Sequence, residues 1–246
     1  MDDLRNLFGE PKFIDGIGDV HPIYLSDWTE FNIYSPAIQL RLEQFENRTD
    51  DMRLFDCLMR EGKKDQRILI MLKQAIHMIL RVDEIAFGES DGQYRFLYGE
   101  DYEINRENYD EFRKVVMEQN LMIEPKIYKN KLMQKWAEMA LKARSSKGIE
   151  MTFEDKITTL AAWDGNKPTF YKDYTYYQFE AMFQRMCQFK NFDSQSIMMA
   201  NPYAAESVSK SMEHFAQSIN LRKDPYDDVF VKEDNSKLGR IKNSLK

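Results

Sequence analysis

The chain has 246 residues, 43% of them hydrophobic and 13% aromatic, enough for a real core in one large domain or two small ones. Its 41 acidic against 35 basic residues leave a net charge of −6, which argues against general binding to nucleic acid or membrane surfaces, where the docking face needs an excess of Lys and Arg. The longest apolar run, residues 68–72, is far short of a membrane span, and the start MDDLRNLFG lacks the basic and apolar regions of a signal peptide, so a soluble protein with free thiols at Cys57 and Cys187 is expected.

Taken in order, residues 11–14 and 20–24 read as strands of a β-hairpin around DGIGD, whose glycines supply positive φ. A strand follows Gly16 and Gly18 where a phosphate loop would open a helix, so no nucleotide site is read there. Ser26 opens a helix to about Asn47 that Pro36 kinks or splits, and a short helix from Asp51 to Arg60 is expected to end at Gly62. The most hydrophobic helix starts near Lys64; Ile68, Leu69, Leu72, Ala75, Ile76, Ile79 and Leu80 cover most of it, leaving a polar stripe of Lys73, His77 and Arg81. It is the expected central core helix. Residues 85–87 and 94–98 flank GESDG as a second hairpin.

The stretch 104–146 reads as two helices joined at Pro125. Asn105 is the expected N-cap of the first, which ends near Asn120; the second spans about Asn130 to Arg144. A nine-residue connection suggests a helical hairpin, with the stripe Met133, Trp136, Ala137 and Ala140 expected in the core and the basic face and the Pro125 joint left for a partner. Thr152 with Asp155 opens a helix to about Trp163, and Phe179, Met182, Phe183, Met186 and Phe189 mark another over 173–189. Further helices are expected over Ser194 to Ala200 and Ala204 to Ile219, then a short anchor at 222–230 and a mobile polar end. The fold class is therefore mainly α, with one or two small β-hairpins in the N-terminal half. Regions 1–104 (α+β with the central helix), 105–221 (helical, packed on the first) and 222–246 (anchor and charged tail) follow from this order.

Tyr171, Tyr174, Tyr176 and Tyr177 crowd one helix entry, so at least one is expected at a surface or interface, and Met198 and Met199 are the methionines placed to form an adaptable binding surface. Histidines at 21, 77 and 214 have no ligand or base at useful spacing, so no catalytic residue, metal site or cofactor site is read.

Several motifs together resemble the tail assembly chaperones of tailed phages and prophages of Gram-positive bacteria: GEPKFIDGIGDVHPIYLSDW at 9–28, INRENYDEF at 104–112, IEPKIYKNK at 123–131, KWAE at 135–138, MTFEDKITT at 151–159 and DPYDDVF at 224–230. The resemblance implies a non-catalytic chaperone in the cytoplasm of the bacterial host cell that binds the tape-measure protein, helps recruit tail tube protein, and is absent from the finished particle. It also implies a frameshifted longer form, whose junction would lie after Phe230. Homo-oligomers are compatible with it. Passive holding requires exposed apolar surface on a helical scaffold. On these grounds the candidate partner-binding residues are Tyr128, Lys129, Lys131, Tyr174, Tyr176, Tyr177, Met198 and Met199. The same composition suits a structural component of the particle, such as a tail, baseplate or connector protein. A third reading takes the basic band Lys126, Lys129, Lys131, Lys135, Lys142, Arg144 and Lys147, interleaved with Tyr128 and Trp136, as a single-strand nucleic-acid groove, against which the net acidity weighs.

Overall fold

The computed structural model describes residues 2–45, 48–49, 51–90, 92–124, 126–128, 130–145, 151–203, 209 and 212–222. Residue contacts divide the chain into two units, Met1–Glu124 with Thr152–Arg222, and Pro125–Met151 with Lys223–Lys246. The fold is mainly α, with a two-stranded and a three-stranded antiparallel sheet in the N-terminal half.

The larger unit begins with helix α1 (Asp2–Phe8) and the hairpin β1 (Lys12–Ile14) and β2 (Gly18–Val20), in which Ile14 pairs with Gly18. Gly16 and Gly18 turn the chain at φ 74° and 91°. The return strand stops at Val20 rather than running to Tyr24, because the backbone beyond it finds other partners: His21 N donates to Ile79 O (3.0 Å) and Ile23 N to Asn120 Oδ1 (3.0 Å).

Pro36 does split the next helix, standing at the first position of α3 (Pro36–Gln39) after α2 (Trp28–Tyr34); a 3₁₀ turn, Leu42–Gln44, follows. Helix α4 (Leu54–Lys64) starts three residues later than expected and passes through Gly62 instead of ending there. Gly62 is buried in helix because α5 (Gln66–Leu80) crosses at that point: a Cβ on it would lie 2.4 Å from Leu69 Cγ. Asp65 then caps α5 by accepting from Arg67 N at 3.1 Å. Helix α5 is the expected centre, with Leu72, Ala75, Ile76, Ile79 and Leu80 buried and His77 exposed.

The second sheet has one more strand than the sequence pattern indicated. β3 (Ala86–Ser90) and β4 (Gln93–Tyr98) pair as expected, and β5 (Tyr102–Asn105) adds to β4. Asn105 is therefore the last residue of a strand and not a helix cap. Its Oδ1 accepts from Glu107 N (2.7 Å) and Asn108 N (3.3 Å), a turn that delays α6 to Tyr109–Gln119. Arg113 of α6 is buried and donates through Nε to Ile38 O (2.7 Å) and Nη2 to Leu40 O (3.2 Å), serving the carbonyl end of α3. Around α5 these elements close one core containing Phe31, Phe55, Phe96, Ile104, Tyr109 and Phe112.

Residues 152–199, with Leu25, build a second core whose buried members are Leu25, Leu160, Ala161, Tyr171, Phe179, Phe183 and Met186. Thr152 and Asp155 form the expected capping box of α8 (Phe153–Asp164), which Gly165 ends at φ 77°. Thr175 and Gln178 repeat the device for α9 (Tyr176–Met199), a single 24-residue helix. The separate helix expected over Ser194 to Ala200 is thus the last quarter of α9, since nothing between Phe189 and Ser194 breaks the spiral. Of the helix expected over Ala204 to Ile219, residues 204–208, 210 and 211 lie outside the described residues, and 212–219 contain no helix. There Phe215 stacks on Phe189 (4.7 Å between centroids) and Arg185 Nη1 donates to Phe215 O (2.5 Å) and Gln217 O (2.9 Å), which consumes carbonyls a helix would need. The anchor and tail beyond Arg222 lie outside the described residues.

The smaller unit holds α7 (Lys131–Ser145), one residue from the expected bounds. Helices α6 and α7 thus belong to different units.

Candidate partner-binding surface

Helix α7 starts on a side-chain cap, with Asn130 Oδ1 accepting from Leu132 N at 2.9 Å. Gln134 braces the entry by accepting from Tyr128 N (3.0 Å) and donating to Glu138 Oε1 (2.7 Å). Beyond this local order the helix does not bury its apolar stripe. Leu132 is 54% exposed, Trp136 58%, Met139 61% and Met133 40%; of the expected core positions only Ala137 is buried, and Ala140 is half-buried. The expectation that Met133 and Trp136 make core is therefore wrong. Burying a large apolar side chain is worth about 1.5–3 kcal/mol, so this face is a substantial reserve of binding free energy.

The expected partner residues divide between this surface and the interior. Lys131 is exposed on α7 and Tyr128 half-buried just before it, whereas Lys129 lies outside the described residues. Lys135 and Lys142 of the basic band are exposed, Lys126 is half-buried, and Lys147 is outside the described residues. Met198 and Met199 are exposed at the end of α9 beside Ile197, with Tyr203 fully exposed just beyond, so this tip is a second uncovered apolar surface.

The tyrosines pack into the larger unit to different depths. Tyr176 stacks on Trp28 (3.7 Å, 3°), and Tyr177 and Tyr171 are buried. Tyr174 is half-buried, and its carbonyl accepts from Leu25 N at 2.9 Å. The Tyr171 hydroxyl donates to the Asp164 carboxylate; burial, with Asp164 adding to it, pushes the phenol up to about 12, while the same hydrogen bond holds the carboxyl below the usual range. Burial, reinforced by Glu180, also raises the Tyr176 phenol. At neutral pH both phenols are neutral packing groups.

A third surface is an open apolar cleft of about 570 Å³ between α1, α8 and α9, lined by Leu4, Leu7, Trp163, Met182, Met186 and Phe189 among others. Lys190 Nζ sits 4.0 Å from the Trp163 ring centroid. Among the described residues no group of three or more His, Cys, Asp or Glu could hold a metal ion, and no helix is long and apolar enough to cross a membrane. His77 lines a polar recess with Lys73, Asp83 and Glu84, while His214 stacks on Phe215 (4.4 Å). Cys57 is buried and Cys187 exposed, both free.

Leu132 and Met139 were missed as surface residues. Their signal was present: with Trp136 they space at four and three residues, a seam for one helix, narrower than the stripe of a core helix.

Among the described residues, the chain is thus a mainly α protein with apolar side chains exposed on α7, at the tip of α9 and in the cleft. Residues 142–220 match a family model described as the YomV second domain. That family is phage-derived, YomV itself coming from a Bacillus prophage, and the similarity supports a phage origin. No curated protein and no solved structure matches the chain. The matched segment contains α8 and α9 with most of the second core and of the cleft, and leaves residues 132–139 of α7 outside.

Proposed function

We propose that the protein is a non-catalytic assembly chaperone of a tailed phage, acting in the host cytoplasm to hold the tape-measure protein while the tail tube is built. The observation that carries this reading is the uncovered face of α7, where Leu132, Trp136 and Met139 are each more than half exposed on a capped helix. A helix face of this kind suits the helix-in-groove mode of recognition, in which an apolar strip of the partner supplies the missing contact. Holding needs no nucleotide cycle, and no phosphate loop is present in the sequence. The phage-derived family of residues 142–220 supports the setting.

The test is co-elution of the purified protein with fragments of a tape-measure protein from the same phage. Leu132→Ala with Trp136→Ala is expected to weaken retention at least tenfold without unfolding the protein. Absence of binding to any fragment at micromolar concentration would remove the reading. Stoichiometric presence of the protein in mass spectra of purified particles would replace it with a structural role.

A further inference from the structure

The three-stranded sheet has two edges, and the chain covers one of them. On β5, Glu103 N donates to Gly16 O at 3.0 Å, so the first hairpin closes that side. β3 forms the other edge. It pairs with β4 from Ala86↔Leu97 to Ser90↔Gln93, and only residues 91 and 92 separate the closing pair. In a two-residue hairpin the closing pair exchanges both backbone bonds, and bonded and non-bonded pairs then alternate. Ser90, Gly88 and Ala86 therefore bond to β4, while the N–H and C=O of Phe87 and Glu89 point outward. Among the described residues these outward groups have no backbone partner. Sheet edges are ordinarily blunted by Pro, Lys or a bulge. β3 has none of these, and its one charge, Glu89, is already paired with Lys63 Nζ at 3.0 Å. Phe87 lies 38% exposed along it.

We propose that β3 is the contact edge of a homodimer, pairing antiparallel with β3 of a second copy about a two-fold axis at Gly88. The strand complements itself in this register and in no other. Centring on Glu89 would set two carboxylates directly opposite each other. Centring on Phe87 would overlap only residues 86–88 and set Glu89 against Ile85, which is buried before the strand begins. Centring on Gly88 overlaps the whole strand and makes bonded pairs of Phe87 with Glu89 of the second copy and the reverse, so like charges do not meet. Gly88 then faces itself in a non-bonded pair, where strands approach most closely and the missing side chain leaves room. Closure on a two-fold also ends the assembly at two copies, because each outer edge is then a covered β5. Strands this short bury little area, so a weak dimer is expected, with a dissociation constant on the order of tens of micromolar.

The experiment uses the full-length protein with Cys57→Ala and Cys187→Ser, so that no native thiol interferes. Phe87→Cys, Gly88→Cys and Glu89→Cys are made singly, oxidised mildly at high micromolar concentration and run on a non-reducing gel. Gly88→Cys is expected to cross-link roughly tenfold faster than the other two, because Cα atoms of a non-bonded pair lie about 4.5 Å apart, within disulfide reach. A Cβ at Gly88 meets nothing within 4 Å, so the substitution is tolerated. Sedimentation of the native sequence should show a dimer fraction that rises with concentration. Glu89→Pro should abolish that dimer and leave the hairpin folded, as circular dichroism checks, because it removes an outward N–H that β4 does not use. Where the proline variant does not fold, the cross-linking pattern decides. Equal cross-linking at the three positions, as random collision gives, or faster cross-linking at 87 or 89, overturns the proposal. So does a monomer at every concentration, or a dimer that a folded Glu89→Pro variant retains. A monomer whose Phe87 and Glu89 amides gain protection from hydrogen exchange when tape-measure fragments are added overturns it in favour of a partner's strand.

Discussion

Helices α5 and α7 are each 15 residues long, each is opened by an Asx side chain, and each carries an amphipathic pattern. Five apolar residues of α5 are buried, while three large apolar residues of α7 are more than half exposed. The difference lies in the width and spacing of the apolar faces. In α5 they cover most of the circumference and can meet α2, α3 and α4 at once. In α7 they narrow to a seam with lysines on one edge, a face one helix can cover. Periodicity therefore reports that a face needs covering, and its width reports how many elements are needed.

Four changes test this contrast. Ile76→Ala should be the most damaging, costing about 2–5 kcal/mol in denaturant unfolding, because Ile76 is fully buried in the core around α5. A cost under about 1 kcal/mol would break the assignment of α5 as the centre. Gly62→Ala should cost about 1–3 kcal/mol, since its methyl would meet Leu69 at the crossing of α4 and α5; adding Leu69→Ala should recover part of that loss, as a double-mutant cycle would measure.

A smaller effect is expected at the end of α5. Burial, with Arg81 adding to it, holds His21 below its ordinary value. The unfolded chain therefore takes up the proton first, so stability should decline as pH falls through about 6.5 toward the depressed folded value and level off below it. His21→Gln should flatten that part of the urea-midpoint profile. Smallest of all is Trp136→Ala, expected to change unfolding stability by no more than about 0.5 kcal/mol while binding is lost. A loss comparable to that of Ile76→Ala would mean that α7 is a core helix after all.

Much of the fold was legible because local chemistry agreed with tertiary packing. The Thr152 and Asp155 capping box, the Pro36 break, the Gly16 and Gly18 turn and the apolar girdle of α5 are all local signals that survive in the structure. Errors arose where one residue type serves two purposes. Gly62 signals a helix end, yet here it permits a helix crossing; Asn105 signals a cap, yet here it closes a turn after β5. Strand β5 escaped notice because four residues leading into a helix carry too little alternation to read. At the candidate site the charges were legible and the exposure was not. Trp136 and Met133 look the same in sequence whether an element of the chain or a foreign helix covers them. The tyrosines at 171–177 divide: Tyr171 and Tyr177 are buried, while Tyr174 and Tyr176, the latter stacked on the sequence-distant Trp28, stay half-buried at the surface.

The hydrogen bonds that hold residues 20–26 also set an order in time. Gln119 Nε2 reaches back to Val20 O (3.0 Å), Asn120 Oδ1 to Ile23 N (3.0 Å), and the carbonyls of Tyr174 and Lys172 to Leu25 N (2.9 Å) and Ser26 N (3.2 Å). At a synthesis rate of about 5–20 residues per second, the partners of Leu25 and Ser26 emerge roughly seven to thirty seconds after them. During that interval the backbone beyond the first hairpin is an unpaired edge on a nascent chain. The N-terminal segment is thus made long before its last backbone partners, and it settles only when residues 172–174 arrive.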